Sequence, residues 1–532
     1  MIKQLRRLFS NNFWTSNREC KYGLFLQNLF LSLIFHLPSW QLAILSGILI
    51  GLAYPPLHLG FLAWIGFVPL ISIFLNESSS SVGKYSFLSA ITANFISLYW
   101  IGLNSGAGFI PVFASLIGAI LYLALFWTIL GFLLSKIHSW TGKGLFVFPF
   151  LWVSMEWLRS FGPLGFPWIN LALTQTSYLP LIQMADYGGS YGISFWIIFL
   201  NVIVFLIVTS SVKNRKMWIL PFGLILSLWI IGSIRISLIS NQTEELNFDV
   251  AVVQPNIDPN QKWERNHRQE TFAVMHDLLN EATQLQPDLV LWPEVAVPSN
   301  LRLSLSDRRP IQNRVVASGI PLLAGTVDHT VNQNGEKEYY NGSIMMYPDG
   351  NIQMYHKVHL VPFAEYIPFS RYFPILKKLN FGQGNFSQGE EYTVFKVDSI
   401  QFSNIICYES SLPDMIREFI KRGAQFLSIQ ANDGWLGNSS GPYQHFELAK
   451  LRAVENRISV VRSANTGISG IILPTGRVME KISIGERKVI HGDISFWNGT
   501  SFYTAFGDIF AMLCTIVICI VLGIGWFRHY LK

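Results

Sequence analysis

A bundle of membrane-spanning helices joined to one α/β domain is the fold class this sequence predicts. Half of the 532 residues are hydrophobic and only 14% are charged, against roughly 25% in soluble domains. The apolar residues gather in long runs over 1–240 and again over 508–527. Residues 241–505 instead alternate polar and apolar side chains as a globular sequence does. These observations divide the chain into a basic N-terminal segment (1–38), a membrane domain (39–240), a soluble domain (241–505) and a final span with a basic tail (506–532).

Apolar stretches of about 20 residues can cross the ~30 Å hydrocarbon core. Candidate spans fall near 39–54, 58–75, 84–103, 109–137, 144–161, 189–210, 217–239 and 507–527. The first two are short and divided by "YPPLHLG", which reads as a hairpin that barely spans. Residues 24–36 are apolar too and read as an interfacial or re-entrant helix; no small-residue cleavage site follows, so the segment is expected to be retained. Lys and Arg mark the cytoplasmic loops. They cluster in the N-terminal segment, in 136–143, in 211–216 and in the tail, and are missing from "YPPLHLG" and "NSGAG". Eight spans then place both termini inside and 241–505 outside. The net charge of +6 is thus a topology signal, and nucleic acid is excluded because no basic stripe with interleaved aromatics marks the soluble part.

Within 241–505, strand-like runs occupy 248–254, 288–294, 321–327, 343–348, 402–409, 426–432, 459–465 and 469–474, with helices expected over 264–285, 411–422 and 441–456. Several runs are apolar almost throughout, as in sheets buried on both faces, so helices layered on stacked sheets are expected. Polar residues stand where three runs stop: Glu294 after "VLWP", Cys407 after "NII", and Asn432 with Asp433 after "SIQA". In α/β folds, strand carboxyl ends are where sites assemble.

Cys407 carries the sharpest question. Cys514 and Cys519 lie in the last span and Cys20 in the N-terminal segment, so Cys407 has no disulfide partner in the soluble part. A buried free cysteine is the bland reading. Tyr408 and Glu409 follow, however, and argue for a polar opening where a base could generate a thiolate. Glu294 is the candidate base, with Trp292 and Pro293 as an apolar wall that raises its pKa; the bland reading is a helix cap. Lys357 is a surface lysine or, set among apolar residues and prolines, a half-buried ammonium facing a developing oxyanion. Glu365, eight residues on, pairs with it or orients it. His445, in "GPYQHFELAK", reads as structural rather than as a base. No His, Cys and carboxylate set shows metal-ligand spacing, and no strand–GxGxxG–helix order appears, so neither metal nor cofactor is expected.

Glu294 in "LVLWPE", Lys357 in "YHK" and Cys407 in "IICYE" resemble, in order and spacing, the Glu–Lys–Cys triad of the nitrilase superfamily. The flanking segments "VVQPNIDPNQKW" (252–263), "HKVHLVPFAEYIP" (356–368), "ICYESSLP" (406–413) and "NDGWLGNSSGPYQHFELAKLRAVENRISVVRSANTGISG" (432–470) are similar to the apolipoprotein N-acyltransferase family, as is "GFPWINLALTQ" (165–175). Ala364, Gly434, Leu436 and Gln430 depart from that family's usual residues. The resemblance implies an αββα sandwich on the outer, periplasmic side of a bacterial inner membrane. It implies ping-pong transfer of a fatty acyl group from a membrane phospholipid, through a Cys407 thioester, to the α-amino group of a diacylglyceryl-cysteine at an apolipoprotein's N-terminus. It further implies Glu294, Lys357 and Cys407 as catalytic, and Trp263, Glu365, Tyr408 and Glu409 as supporting residues. Loops within 355–390 are the expected lid. A membrane-anchored nitrilase or amidase acting on a small C–N substrate is the alternative, and seven spans ahead of the domain argue against it.

Overall fold

A computed structural model describes residues 37–210, 215–370, 372–373 and 385–531; the basic segment 1–36 with its apolar stretch 24–36, and residues 374–384 of the expected lid, lie outside them. Among the described residues, five helices are long and apolar enough to cross a membrane: Ser79–Leu103, Phe109–Thr141, Ala185–Thr209, Lys216–Gln242 and Ile509–Tyr530. Three shorter apolar helices, Ser39–Leu52, Gly60–Asn76 and Gly144–Leu158, fill the remaining expected positions. At 1.5 Å per residue the first of these is about 21 Å long, short of the ~30 Å core. The second is broken into a 3₁₀ turn, Gly60–Trp64, and an α-helix, Val68–Asn76. The span expected over 144–161 stops at Leu158, because Gly162, Pro163, Gly165 and Pro167 follow and the chain turns back through a 3₁₀ segment, Pro167–Ile169.

The α/β part begins with β1 (Thr243–Gln254) and continues through β2 (Leu289–Leu291), β3 (Leu322–Val331), β4 (Lys337–Met346) and β5 (Ile352–His356). It then runs through β6 (Phe395–Val397), β7 (Ile400–Ile406), β8 (Phe426–Ala431), β9 (Ser459–Ala464), β10 (Ser469–Ile472), β11 (Val478–Ile482) and β12 (Lys488–Trp497). These form two six-stranded sheets, ordered β12-β1-β2-β3-β4-β5 and β11-β10-β9-β8-β7-β6. Period-2 alternation sorts the layers. Val250, Val252, Leu289 and Leu291 of the first sheet pack on Phe402, Ile405 and Phe426 of the second. Their neighbours Ala251, Val253 and Val290 face the opposite way, onto helices α1 (Arg265–Gln284) and α2 (Leu305–Ser318). Helices α3 (Pro413–Lys421) and α4 (Ser440–Asn456) cover the outer face of the second sheet. The result is the expected four-layer αββα sandwich.

Helix α4 is buried along nearly its whole length, because its second face is pressed on the membrane helices. Gln444 there accepts hydrogen bonds from the indoles of Trp100 and Trp168 (3.2 and 3.1 Å) and donates to the Ser97 carbonyl (2.8 Å). Just past its end, Arg457 binds Asp186 (3.0 Å) and the Gln183 carbonyl (2.7 Å). Buried, paired and apolar-flanked contacts of this kind fix one orientation between the two parts.

Candidate active site

The site forms where strand ends of both sheets meet. After β2 the chain runs through Trp292 and Pro293 to Glu294, then turns at Val295 with φ +43°. Gly325 of β3 lies against this turn so closely that a Cβ would meet the Pro293 oxygen at 2.3 Å and the Glu294 Cα at 2.7 Å. Strand β4 supplies Asn341, whose amide nitrogen donates to Glu294 (2.8 Å) and to Glu365 (2.9 Å). Lys357 follows β5, and its backbone N–H donates to the Asn341 carbonyl (2.8 Å). Its Nζ lies 2.8 Å from Glu365 Oε2 and 4.0 Å from Glu294 Oε1. Glu365 also accepts from the Val361 N–H (2.7 Å). Lys357 is only 1% exposed and Glu365 2%, so these charges are compensated by one another and not by water.

From the second sheet, β7 delivers Cys407 at the start of a 3₁₀ turn, Cys407–Ser411, with φ +52°. A non-glycine residue in this left-handed region is strained and persists only where its surroundings hold it. Glu409, two residues on, holds both sides of the site. Its carboxylate accepts from the Ile406 N–H (2.7 Å) on the Cys407 side, and from the Val358 and His359 N–H groups (2.7 and 3.0 Å) on the Lys357 side. The Tyr355 hydroxyl donates to it as well (2.9 Å).

Burial raises the Glu294 carboxyl above its ordinary range and the neighbouring Glu365 adds to this, while Lys357 pulls the other way. Burial likewise pushes the Cys407 thiol well up, Glu294 reinforces it, and Lys357 opposes both. Burial works against the Lys357 ammonium, yet Glu365 and Glu294 outweigh it and keep the group protonated. Glu409 is pushed up to about 7 by burial against the pull of Lys357. The thiol is therefore protonated at neutral pH and needs a base at the moment it reacts. A carboxylate of raised basicity and a fixed cation both bear on it. Such a set can run nucleophilic acyl chemistry.

The four residues expected to support the site fall in different places. Glu365 and Glu409 are in the network. Tyr408 is buried, and its hydroxyl donates to the Gly165 carbonyl (2.6 Å) in the turn after the helix ending at Leu158. Trp263 is half exposed. Its neighbour Lys262 is buried, donates to the Val295 carbonyl (2.6 Å) and has its pKa lowered to about 8 by burial, against the pull of Glu294. Sequence reasoning missed Asn341, Tyr355 and Lys262. Asn341 lies just ahead of the expected run 343–348, in the part of β4 the sequence did not mark.

It also missed a convergence. Ligand atoms of Cys407, Asp433 and His445 lie within 4.8 Å of one another. Cys407 lies 26 residues before Asp433, and Asp433 lies 12 before His445, so no local ligand spacing marked them. Both Asp433 oxygens are engaged, one with His445 Nδ1 (2.7 Å) and the other with Arg462 Nη2 (2.7 Å). The guanidinium also lies 3.0 Å from His445 Nδ1, so a cation entering here would meet a fixed positive charge.

A family model described as apolipoprotein N-acyltransferase N-terminal domain matches residues 46–203, and one described as carbon-nitrogen hydrolase matches 249–502. An apolipoprotein N-acyltransferase of Geobacter metallireducens is 33% identical over 92% of this chain and 96% of its own length. That of Chlorobaculum tepidum is 32% identical over 89% and 94%, and that of Rickettsia prowazekii 30% identical over 92% and 97%. With the helical bundle, the αββα sandwich and this degree of identity along nearly the whole length, the chain belongs to the apolipoprotein N-acyltransferase family.

Proposed function

We propose that this membrane acyltransferase of lipoprotein maturation works in two half-reactions through a thioester on Cys407. Glu294 takes the Cys407 proton, and the thiolate attacks an ester carbonyl of a membrane phospholipid. The Lys357 ammonium and the backbone N–H following Cys407 stabilise the tetrahedral oxyanion, a contribution of about 3–4 kcal/mol per donor in comparable sites. As the C–O bond breaks, Glu294 returns the proton to the departing oxygen and lysophospholipid leaves. In the second half, the α-amino group of a diacylglyceryl-cysteine attacks the thioester, Glu294 accepts the amine's proton, and the amide forms as the Cys407 thiolate departs and is reprotonated.

The observation that carries this reading is the single buried network that joins Glu294, Asn341, Glu365 and Lys357 and, through Glu409, the strand ending in Cys407. Residues 241–505 are the catalytic domain, facing the periplasm, with 39–240 and 506–532 holding it at the inner membrane. Exposed Trp263, Phe369, Tyr372 and Phe373 lie on loops that suit contact with acyl chains, and a water-poor site protects the thioester from hydrolysis. Full-length protein in phospholipid vesicles, given a diacylglyceryl-cysteine peptide, tests the proposal. It predicts lysophospholipid and N-acyl peptide in equal amounts, with parallel double-reciprocal lines. The appearance of neither acyl-enzyme nor lysophospholipid would instead favour a hydrolase of small C–N substrates.

A further inference from the structure

Cys407 holds its backbone in the left-handed region, and the hydrogen bonds of Glu409 end at Ile406, one residue short of it. We infer that His445 is a positioning residue for the nucleophile: with Ser410 it grips the Cys407 carbonyl and fixes the turn that aims the thiol. This rests on the thioester reading and adds to it a residue that the triad does not contain.

The contacts form a closed chain. Ser410 Oγ donates to the Cys407 carbonyl (2.8 Å). His445 Nε2 lies 2.9 Å from Ser410 Oγ and 3.1 Å from the same carbonyl oxygen. On the far side of the ring, Nδ1 meets Asp433 Oδ1 at 2.7 Å, and Asp433 Oδ2 accepts from Arg462 Nη2 at 2.7 Å. Arg462 is itself tied down by donation from Nε to the Ile468 carbonyl (2.9 Å). Whichever ring nitrogen carries the proton, the Cys407 carbonyl can be served, by Nε2–H or by the Ser410 hydroxyl. Ser410, His445, Asp433 and Arg462 are all 2% exposed or less, so water cannot take over the role of a deleted member.

The ring is also wedged from the membrane side. Trp168, in the 3₁₀ segment Pro167–Ile169, lies 5.0 Å from it, centroid to centroid. The Trp168 indole is held in turn by Gln444, the residue before His445. The same turn takes the Tyr408 hydroxyl at Gly165. One loop of the helical bundle therefore presses on both flanks of the nucleophile's turn, which couples "GFPWIN" to the placement of Cys407.

The test uses full-length protein in phospholipid vesicles and follows single-turnover acylation of Cys407 against phospholipid concentration, with the thermal midpoint measured alongside. His445→Leu removes both nitrogens; the inference predicts a limiting acylation rate lower by roughly a hundredfold, as for a misplaced reacting atom, with half-saturation shifted by less than about twofold. His445→Gln, which returns an N–H near the Nε2 position, restores most of that rate. Ser410→Ala, a far smaller change, lowers it severalfold even if His445→Leu fails to fold. A wild-type limiting rate in either His445→Leu or Ser410→Ala overturns the inference, as does a rate loss in His445→Gln equal to that in His445→Leu. Acyl transfer persisting in Cys407→Ala would be a separate failure, that of the thioester reading itself.

Discussion

Replacing Lys357 by methionine removes the one ammonium that both buried carboxylates share. At an effective dielectric of about 20, a unit charge 2.8 Å from Glu365 Oε2 is worth about 6 kcal/mol, and one 4.0 Å from Glu294 Oε1 about 4 kcal/mol, before desolvation is subtracted. Removing one partner of such a buried set costs about 3–5 kcal/mol of stability, because the others stay behind uncompensated. The carboxylates answer by taking up a proton, and a protonated Glu294 cannot act as a base. The oxyanion loses its cation at the same time, a further factor of about 10²–10³. Lys357→Met therefore acylates at least about a thousandfold more slowly, and its thermal midpoint falls. Lys357→Met combined with Glu365→Gln separates the two effects, since it removes one orphaned charge but cannot restore the cation. Stability recovers in part and the rate does not, read by single-turnover lysophospholipid release and by thermal melting. A Lys357→Met rate within about tenfold of wild type, or a rate that returns together with stability in the double variant, would refute this reasoning.

The pH profile offers a second test. Glu294 must be ionised to accept the thiol proton, so kcat/KM falls as pH drops through its raised pKa. Asn341 donates to that carboxylate and favours its ionised form; Asn341→Leu raises the pKa further and moves the acid limb to higher pH, whereas an unmoved limb contradicts the assignment. Glu409→Gln turns an acceptor oxygen into a donor facing a backbone N–H; with one buried N–H left unpaired it costs about 1–3 kcal/mol of stability and slows acylation, both measurable on one sample. Tyr408→Phe leaves the Gly165 carbonyl without its 2.6 Å partner, lowering stability by about 1 kcal/mol in a denaturant titration, and no change would remove the hydroxyl from the account.

The central strands were legible and the edges were not. All eight expected strand runs overlap observed strands, because a strand flanked on both sides is apolar on both faces. The four that escaped, β5, β6, β11 and β12, are the four sheet edges, where short length and charged residues such as Glu480 and Lys481 blunt the signal. Helix α2 escaped for a related reason: "LSDRRPIQNRVVAS" buries only Ile311 and Val315 and carries Pro310 inside. At the site, Glu294 and Cys407 stand at strand ends and could be read from where apolar runs stop, whereas Lys357 follows the unread edge strand β5 and was marked only by its setting among apolar residues and prolines. Asn341 and Tyr355 act from strand interiors, where alternation predicts burial but not what a polar atom meets. His445 looked structural because its helix-start setting explains it locally; its approach to Cys407 is a long-range contact across 38 residues. Gln430, which departs from the family's usual residue, bonds the Trp292 carbonyl across the sheet interface (2.8 Å) and accepts from Ser343 and Asn404. It thereby ties the sheet carrying Glu294 to the one carrying Cys407.

Mass spectrometry of the intact protein after incubation with phospholipid, in the absence of acceptor, reports most directly on whether the acyl group passes through the enzyme. The account predicts one added fatty acyl group, mapped to the peptide containing Cys407, labile to hydroxylamine at neutral pH and lost on adding a diacylglyceryl-cysteine peptide. An adduct on another residue, or N-acyl peptide forming with Cys407 unmodified and dispensable, would contradict it.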